Sequence, residues 1–486
     1  MQPPWRPKPG DTVVRRPRQS EIAPVYVHVV RRTLSVRGAT SPMLLIYGFM
    51  GVLVVGTLLL WLPISTSTGE FAPFVTALFT ATSAICVTGL VVVDSWDAWS
   101  GFGQFVIAVL IFIGGLGFMT GASFLLILVG QRIGLQNRLI MREGIGGGEL
   151  GAVVQVVRNL VIVAVLLQFG GAVFFYLEFY VFGKLWPGIG PGEAAWQAVF
   201  QSISAFNNAG FDILPNDKVG GDTLIGLHRD YWTLATTAIL IVAGGLSFPV
   251  IHDLATKRRF SRITLDSKMV VTGTLILLLA GAVLYLVADW TNPGTLGDRP
   301  VHAKVVNSVF ESVTTRTAGF STVDVGQARN YRLTITESLM FIGGATASTA
   351  GGIKVGTAMV VFFAIVSTMR GRRHVRAFGR EIPLFSVQRA MVVGALATFT
   401  VVLFLAVFMM LQPAMNFGRA TFEVISALGT VGLSTGITAE LTTANRVLLV
   451  FAMFIGRFGP FTLALLMAGR EAREPYRLAE ERVRIG

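Results

Sequence analysis

The residues of this chain whose types and spacing could do chemistry lie in four short phrases, each with a glycine. They read VTGL at 87–90, NNAGF at 207–211, TRTAGF at 315–320 and TVGLSTG at 430–436. Each follows about a dozen largely apolar residues, too few to cross roughly 30 Å of hydrocarbon as a helix. Because glycine accepts positive φ without a steric cost, successive carbonyls can point one way. Four such segments around one axis would form a ring of carbonyl oxygens able to replace the hydration shell of a cation.

The phrases recur at a regular spacing, which indicates an internal repeat. Their key glycines, at 89, 210, 319 and 432, are 121, 109 and 113 residues apart. A second phrase follows after 25, 34, 24 and 24 residues: IGGLGF at 113–118, AGGLSF at 243–248, IGGATA at 342–347 and IGRFGP at 455–460. Glycines in membrane helices often serve close packing alone. Packing does not explain an aligned glycine after every short helix.

Long apolar helices must position these phrases. Hydrophobic residues make up 53% of the 486 residues and charged residues only 14%, against about 25% charged in soluble domains. Helices are predicted before the phrases at about 43–64, 153–182, 269–288 and 390–411, and after them at about 102–130, 231–256, 335–369 and 446–468. Two full spans per repeat make the copies parallel around a central axis, whereas an odd number would invert them.

The predicted fold class is therefore an all-α polytopic membrane protein. It has four tandem helix–pore loop–helix repeats, eight full spans, and pseudo-fourfold symmetry around a central pore. The predicted segments are a basic cytoplasmic N-terminal segment, the four repeats and a cytoplasmic C-terminal tail: 1–42, 43–130, 150–259, 266–374, 387–470 and 471–486.

The basic residues orient the chain in the membrane. The net charge is +13, and 27 of the 40 basic residues lie in 1–42, 130–152, 255–268, 370–389 and 470–486. The positive-inside rule makes these segments cytoplasmic, so both termini are predicted inside. Such segments also attract anionic lipid headgroups. No nucleic-acid-binding pattern accompanies the arginines, and no nucleic-acid partner is expected.

Arg457 is a charge inside the last apolar segment. It stands where the other repeats have Gly115, Gly245 and Gly344. A charge in the middle of a membrane helix is costly and usually functional. A structural ion pair or a snorkelling side chain is the alternative interpretation.

The third returning helix contains a run of small residues. Of residues 343–356, eleven of fourteen are Gly, Ala, Ser or Thr. Glycine in a helix costs about 1 kcal/mol, so the run predicts an interruption of this helix. A tightly packed continuous helix is the alternative. Non-helical backbone at this depth is tolerated where it lines a wet cavity.

The four glycine phrases resemble the selectivity-filter phrases of the Trk/Ktr/HKT family of potassium transporters. GGATASTAGGIKVG at 343–356 and GRFGP at 456–460 are similar to two further signatures of that family. The resemblance covers about residues 42–470 and is strongest to the Ktr-type membrane subunit, because the first span begins near Met43 without two additional spans before it.

The resemblance implies a potassium uptake subunit of a bacterial inner membrane, channel-like and usually a homodimer. A cytosolic nucleotide-binding regulatory ring of the KtrA/TrkA type would gate it. No nucleotide-binding motif occurs in this chain, so no cofactor is expected in it and nucleotide would act only through that partner. Potassium is the implied ion, with sodium as a second candidate. In this family a serine in place of the first filter glycine accompanies sodium transport, whereas all four positions here are glycine.

The resemblance also assigns residues to roles. Carbonyl oxygens of the filter would bind potassium at Val87, Thr88, Gly89, Asn208, Ala209, Gly210, Thr317, Ala318, Gly319, Thr430, Val431 and Gly432. The interrupted helix would be a gating loop with Gly343, Gly344, Ala345, Thr346, Ala347, Ser348, Thr349, Ala350, Gly351, Gly352 and Lys354. Arg457 would face the cavity below the filter and oppose continuous occupancy by cations.

Two other function classes compete with a channel-like subunit. A sodium- or proton-coupled secondary cation symporter would normally carry acidic or histidine relay residues in the middle of the membrane, and the long spans show none. An intramembrane enzyme would need a nucleophile–base or metal motif, and GxSxG and HExxH are absent. Glu311 and Glu423, on the third and fourth short helices, would either attract cations or, as favoured here, hydrogen-bond the loop backbones. Arg316 is expected to brace the third filter.

Overall fold

The computed structural model describes residues 42–116, 153–183, 185–221, 223–346 and 348–459. The helices of this described part are α1 (Pro42–Trp61), α2 (Phe74–Ile85), α3 (Ser95–Ala98), α4 (Gly101–Gly115), α5 (Val153–Tyr176), α6 (Pro191–Phe206), α7 (Asn216–Val219), α8 (Tyr231–Gly245), α9 (Phe248–Lys257), α10 (Leu265–Asp289), α11 (Val301–Thr314), α12 (Asn330–Met340), α13 (Val355–Met369), α14 (Leu384–Leu411), α15 (Phe417–Gly429) and α16 (Thr443–Phe458).

Other regular elements in the described residues are short. A π-helical turn, Leu177–Val181, continues α5, and 3-10 turns cover Pro63–Ser65, Val325–Gln327 and Ile437–Glu440. Strands β1 (Arg376–Ala377) and β2 (Arg380–Glu381) form an antiparallel hairpin with Arg376 opposite Glu381.

Several predicted segments lie wholly or largely outside the described residues. They are the N-terminal segment 1–42 apart from Pro42, the part of the first returning helix after residue 116, Ala347, and the chain from residue 460 through the tail 471–486.

Long apolar helices confirm the prediction of a mostly helical, membrane-type chain. By length and composition, three described helices could cross a membrane: Arg158–Val181, Leu265–Asp289 and Leu384–Leu411. The bent pair Tyr231–Gly245 and Phe248–Lys257 would make a fourth, and shorter apolar helices cover Ile46–Trp61, Phe74–Ile85, Gly101–Gly115 and Val355–Met369. The eight full spans and the pseudo-fourfold symmetry stay predictions.

The second returning helix departs from its prediction as one helix over 231–256. Helix α8 ends at Gly245, Leu246 and Ser247 are extended, and α9 leaves at 98°. Pro249 in the first turn of α9 lacks an N–H and opposes a helix that runs through it. The freed carbonyls of Gly244 and Gly245 accept hydrogen bonds from Thr349 and Ala345. The prediction of one continuous helix over 231–256 was therefore wrong.

The third returning helix is interrupted, as its composition predicts. Helix α12 ends at Met340 and α13 begins at Val355, and the described residues between them, 341–346 and 348–354, are not helical. The alternative of one tightly packed helix is excluded.

Four short helices, α2, α6, α11 and α15, each lead into one glycine phrase. Proline precedes or opens three of them, at Pro73, Pro191 and Pro300. Proline is favoured at the start of a helix, because the backbone N–H that it lacks would have no partner within the helix there. The fourth begins after Asn416, whose side chain accepts a hydrogen bond from the Arg419 N–H at 3.2 Å. All four helices therefore start at a fixed residue and end beside their phrase.

Packing connects these short helices in a closed cycle. Each long helix before a phrase packs on the short helix that follows it: α1 on α2, α5 on α6, α10 on α11 and α14 on α15. Each returning helix packs on the short helix of the next unit: α4 on α6, α8 on α11, α12 on α15 and α16 on α2. The last contact closes the cycle.

Candidate ion-binding site

The backbone follows one pattern at the end of every short helix. A residue with positive φ comes first, with values of 56° at Val87, 57° at Asn208, 75° at Thr317 and 49° at Thr430. Two residues later a glycine also has positive φ, 90° at Gly89, 69° at Gly210, 82° at Gly319 and 91° at Gly432. Residues other than glycine rarely adopt positive φ. Four repetitions of this geometry show that the segments share one conformation.

The four glycines meet neighbouring segments in a closed order. A Cβ on Gly210 would lie 2.6 Å from the carbonyl oxygen of Ala318, and one on Gly319 would lie 2.6 Å from that of Val431. A Cβ on Gly432 would collide with the Thr88 oxygen, and one on Gly89 with the Ala209 oxygen. Glycine is therefore required at all four positions by both φ and space. The segments converge on one another with a carbonyl oxygen beside each glycine.

Buried hydroxyl groups support the segments from behind. Ser83 Oγ accepts from the Gly89 N–H at 3.1 Å, and Ser426 Oγ accepts from the Gly432 N–H at 3.1 Å. Ser204 donates to the Phe211 carbonyl at 2.5 Å, and Thr314 donates to the Phe320 carbonyl at 2.6 Å. A hydroxyl thus stands at the corresponding place in every segment.

The second set of glycine phrases serves close packing. A Cβ on Gly114 would meet the Ile85 carbonyl oxygen, one on Gly244 the Phe206 oxygen, and one on Gly456 the Leu428 oxygen. The first, second and fourth returning helices therefore lie directly against the end of the short helix of their own unit, whereas a Cβ on Gly343 of the third unit would meet the Gly351 carbonyl oxygen. Gly114 therefore serves close packing.

The interrupted stretch forms a loop with a paired stem. Ile342 and Ile353 form a parallel bridge, and hydrogen bonds join the Gly343 N–H to the Ile353 carbonyl at 2.8 Å and the Val355 N–H to the Gly344 carbonyl at 2.9 Å. We call 342–344 and 353–355 the stem and 345–352 the tip. In the tip, Ala345 donates to Gly245 at 3.0 Å and Thr349 donates to Gly244 at 3.3 Å. The tip is therefore tied to the end of α8.

Three cationic side chains donate to carbonyls of this loop. Arg316 Nη2 donates to the stem at the Gly343 oxygen, 2.7 Å away. Lys354 Nζ donates to the tip oxygen of Ala350 at 2.5 Å. Arg457 donates to the Thr349 oxygen from Nη1 and to the Gly114 oxygen from Nη2. Such charge-assisted bonds are roughly twice as strong as neutral ones.

The loop also touches the predicted filter. A Cβ on Gly351 would collide with Thr430 Oγ1, and one on Gly343 would lie 3.4 Å from Thr317 Cγ2. Hydroxyls of Thr88, Thr317 and Thr430 and the amide group of Asn208 are buried and make no hydrogen bond to the described residues. Uncommitted oxygens on this side of the ring could bind a cation directly.

Glu311 and Glu423 hydrogen-bond the loop backbones, as the sequence predicts, whereas Arg316 donates to a carbonyl of the loop 342–355 rather than of the third filter segment. Glu311 accepts from the Thr322 N–H at 2.8 Å, and Glu423 accepts from the Thr435 N–H at 3.1 Å. Arg316 braces through a backbone carbonyl, without a carboxylate among its described contacts. Both glutamates are buried, 1% and 0% exposed, and bind the chain that follows the third and fourth glycine segments.

Two residues that belong to this neighbourhood were missed. Arg332 and Asp289 lie in stretches that the sequence assigned to outer polar connections, yet both are buried in helices at 0% and 1% exposure. The only available signal was an arginine and an aspartate beside apolar runs, which is common in outer loops.

Comparisons with known proteins place the chain in a family. A family described as TrkH, cation transport protein, matches residues 31–473. The chain is similar to the Ktr system potassium uptake protein B of Bacillus subtilis, with 37% identity over 435 residues that cover 89% of this chain and 94% of the relative. It is similar to the potassium/sodium uptake protein NtpJ of Enterococcus hirae, with 35% identity over 462 residues that cover 93% and 98%. The crystal structure of the potassium transporter TrkH from Vibrio parahaemolyticus shows the same fold, with a TM-score of 0.66, 17% identity and coverage of 90% and 86%.

Proposed function

We propose that this chain, which belongs to the TrkH family of cation transport proteins, is the channel-like translocating subunit of a potassium uptake system in a bacterial cell membrane. The observation that carries the proposal is the closed order in which four positive-φ segments meet at their glycines. Relatives named as potassium uptake proteins support potassium as the ion, and the name of NtpJ supports sodium as a second ion.

The eight-span, pseudo-fourfold arrangement belongs to this proposal. The cyclic packing of each returning helix on the next short helix supports it. In this arrangement every unit contributes one short helix, one filter segment and two spans. A pore would then run along the common axis, with the N- and C-termini on the cytoplasmic side.

The filter would dehydrate potassium and replace its water with carbonyl oxygens. The predicted ligands are the twelve residues of the segments, Val87, Thr88, Gly89, Asn208, Ala209, Gly210, Thr317, Ala318, Gly319, Thr430, Val431 and Gly432. Support comes from the shared backbone conformation and from the close approach of each glycine to the next carbonyl. Several carbonyls around one axis would offer a cation oxygen ligands in place of its water.

The loop 342–355 would be the gate below this filter. Its contacts with Thr317 and Thr430 support that position. Arg457 would lock the tip through Thr349, and its charge would oppose occupancy of the cavity by cations. Opening would then require the tip to leave Arg457 and the end of α8 while the stem stays paired.

A cytosolic nucleotide-binding ring would control the gate, and the chain would function as a homodimer. The name of the relatives, a Ktr system protein, supports a separate partner. The exposed arginines of the hairpin β1–β2 and of the α9–α10 connection would present basic surface on the cytoplasmic side. Anionic lipid would contact the same side.

The sodium- or proton-coupled symporter is not favoured. The carboxylates of the short helices α11 and α15, Glu311 and Glu423, are engaged by fixed hydrogen-bond donors. They are therefore poorly placed to relay protons. Uptake that stays the same when the proton gradient is collapsed at constant membrane potential would support the channel-like subunit.

Complementation tests the proposal in cells. Expressed with its regulator in a bacterium that lacks its own potassium uptake, the chain should restore growth at low potassium. Gly432→Val should not, because its side chain would collide with the Thr88 carbonyl. Equal growth with both proteins, at equal membrane expression, would contradict the proposal.

A further inference from the structure

A buried group of one cation and two carboxylates lies behind the third filter segment. Glu311 on α11, Arg332 on α12 and Asp289 at the end of α10 are 1%, 0% and 1% exposed. Arg332 Nη2 lies 2.9 Å from Glu311 Oε2, and Arg332 Nε lies 3.1 Å from Asp289 Oδ2. The Arg332 guanidinium also stacks over the Tyr285 ring at 4.8 Å. Three helices of the third unit are therefore joined at one buried guanidinium.

The second oxygen of Glu311 holds the chain that leaves the filter. Glu311 Oε1 accepts from the Thr322 N–H at 2.8 Å, from Thr322 Oγ1 at 3.1 Å and from Ser321 Oγ at 3.2 Å. Residues 321 and 322 follow Phe320, the residue next to Gly319. An unbroken set of hydrogen bonds thus connects the guanidinium to the backbone of Thr322, three residues after Gly319.

The fourth segment has the same carboxylate without this counter-ion. Glu423 accepts from Ser434 Oγ at 2.5 Å, from the Thr435 N–H at 3.1 Å and from Thr438 Oγ1 at 3.1 Å. No ion pair to Glu423 occurs among the described residues. A carboxylate alone is sufficient to hold an outgoing loop, so the arginine and the aspartate at the third segment do something more.

We propose that Arg332, Glu311 and Asp289 form an ionic clamp that positions the third filter segment and thereby sets the preference for potassium over sodium. The inference rests on the proposed function. Discrimination between the two ions depends on where the carbonyl oxygens stand, whether through the size of the site or the number of ligands. The third segment contacts the second and the fourth through Gly319. A displacement at residues 321–322 therefore reaches three of the four segments.

Neutral and conservative variants test the clamp by the ratio of potassium to sodium flux in liposomes. Glu311→Gln keeps the shape but removes the charge that Arg332 binds, and the flux ratio should fall about tenfold, which corresponds to about 1.4 kcal/mol. Potassium flux itself should persist. Arg332→Gln should lower the ratio similarly, and the double variant should be no worse than either single one, since all break one clamp.

Removal of one partner of a buried ion pair destabilises the folded protein by about 3–5 kcal/mol. A milder variant therefore keeps the test decisive if Glu311→Gln or Arg332→Gln does not fold. Thr322→Val removes one hydroxyl and leaves the backbone N–H on Glu311, so the ratio should fall about threefold, roughly 0.6 kcal/mol. Tyr285→Phe is the matched control. It removes only the hydroxyl that contacts Thr336 at 3.1 Å, and the ratio should not change.

The results separate the clamp from the proposed function. If the wild type is selective and the folded variants Glu311→Gln and Thr322→Val have the same ratio of potassium to sodium flux, the clamp would be overturned. The proposed pore would stand. A wild type without potassium flux would overturn both. A lower thermal stability with unchanged flux ratio would mean that the ion pairs only hold the fold.

Discussion

The ring of four glycine segments and the loop 342–355 are held together in different ways. In the ring, backbone meets backbone, and each glycine lies so close to the next segment that no side chain fits. The loop is held by hydrogen bonds, from its own tip to α8 and from three cationic side chains to its carbonyls. Steric contacts cannot be exchanged for water, whereas hydrogen bonds can. The ring is therefore built to keep its shape and the loop to change it.

The energetic difference follows from the number and kind of contacts. A hydrogen bond contributes about 0.5–1.5 kcal/mol net, or about 1.5–3 kcal/mol when it is charged. The described bonds of the tip therefore hold the loop with a few kcal/mol, within reach of a bound regulator. Changes in the loop should alter the size of the flux, and changes in the ring should alter its selectivity. This separation yields four predictions.

Shortening the tip should have the largest effect. Replacing 345–352 by three glycines removes the bonds to Gly244, Gly245 and Arg457 while the stem pairing can remain. If the fraction of molecules with an open gate rises from about 1% to nearly all, the flux rises about a hundredfold. The measurement is potassium flux in liposomes without the regulator. Flux that still requires the regulator would contradict a gate in this loop.

Gly89→Ser should lower the flux ratio of potassium to sodium. The position has φ of 90°, and a Cβ would meet the Ala209 carbonyl oxygen. Such strain costs about 1–3 kcal/mol. If potassium in the filter loses about 2 kcal/mol of stabilisation relative to sodium, the flux ratio falls about thirtyfold. Regulator dependence should be unchanged. Gly394→Ala, where a Cβ meets nothing within 4 Å, is the control and should match the wild type. An unaltered ratio in Gly89→Ser would argue against the filter.

Arg457→Gln should raise the potassium flux without changing selectivity. The variant loses the charge and at least one of two hydrogen bonds, to Thr349 and Gly114. A loss of about 1.4 kcal/mol from the closed state raises the flux about tenfold. Arg446→Gln on the same helix is the control, because Arg446 bonds the local Ala439 carbonyl at 2.8 Å. Wild-type flux in Arg457→Gln would refute the lock.

Arg316→Gln should have the smallest effect, because it frees only the stem. The Arg316 side chain bonds the Gly343 carbonyl at 2.7 Å and is 6% exposed. Flux without the regulator should rise about threefold, which corresponds to roughly 0.6 kcal/mol. Arg316→Lys should bring this flux most of the way back to the wild-type value. An effect of Arg316→Gln larger than that of Arg457→Gln would show that the stem rather than the tip is the gate.

Sequence reasoning succeeded where the constraint is local. Positive φ and close approach require glycine at each filter position, so the repeated phrases located the ring. A run of small residues located the break before Val355. The bend at Leu246 and Ser247 was missed, because the apolar pattern over 231–256 outweighed Pro249, which opposes a continuous helix there.

The ionic clamp could not be found in the same way. Arg332 pairs with Glu311 and Asp289 across 21 and 43 residues of sequence. Charged residues near the ends of apolar runs are usually solvated, and only the packing of α10, α11 and α12 shows that these are buried. Tertiary contacts between distant residues leave no local pattern.

The ratio of potassium to sodium flux through the purified chain in liposomes tests the central claim most directly. It should be measured for the wild type and Gly89→Ser, each with the shortened tip so that the pore is open. We expect a high ratio in the first protein and a ratio about thirtyfold lower in the second, at similar total flux. No potassium flux through either protein, or equal ratios in both, would contradict a cation pore built on these four glycines.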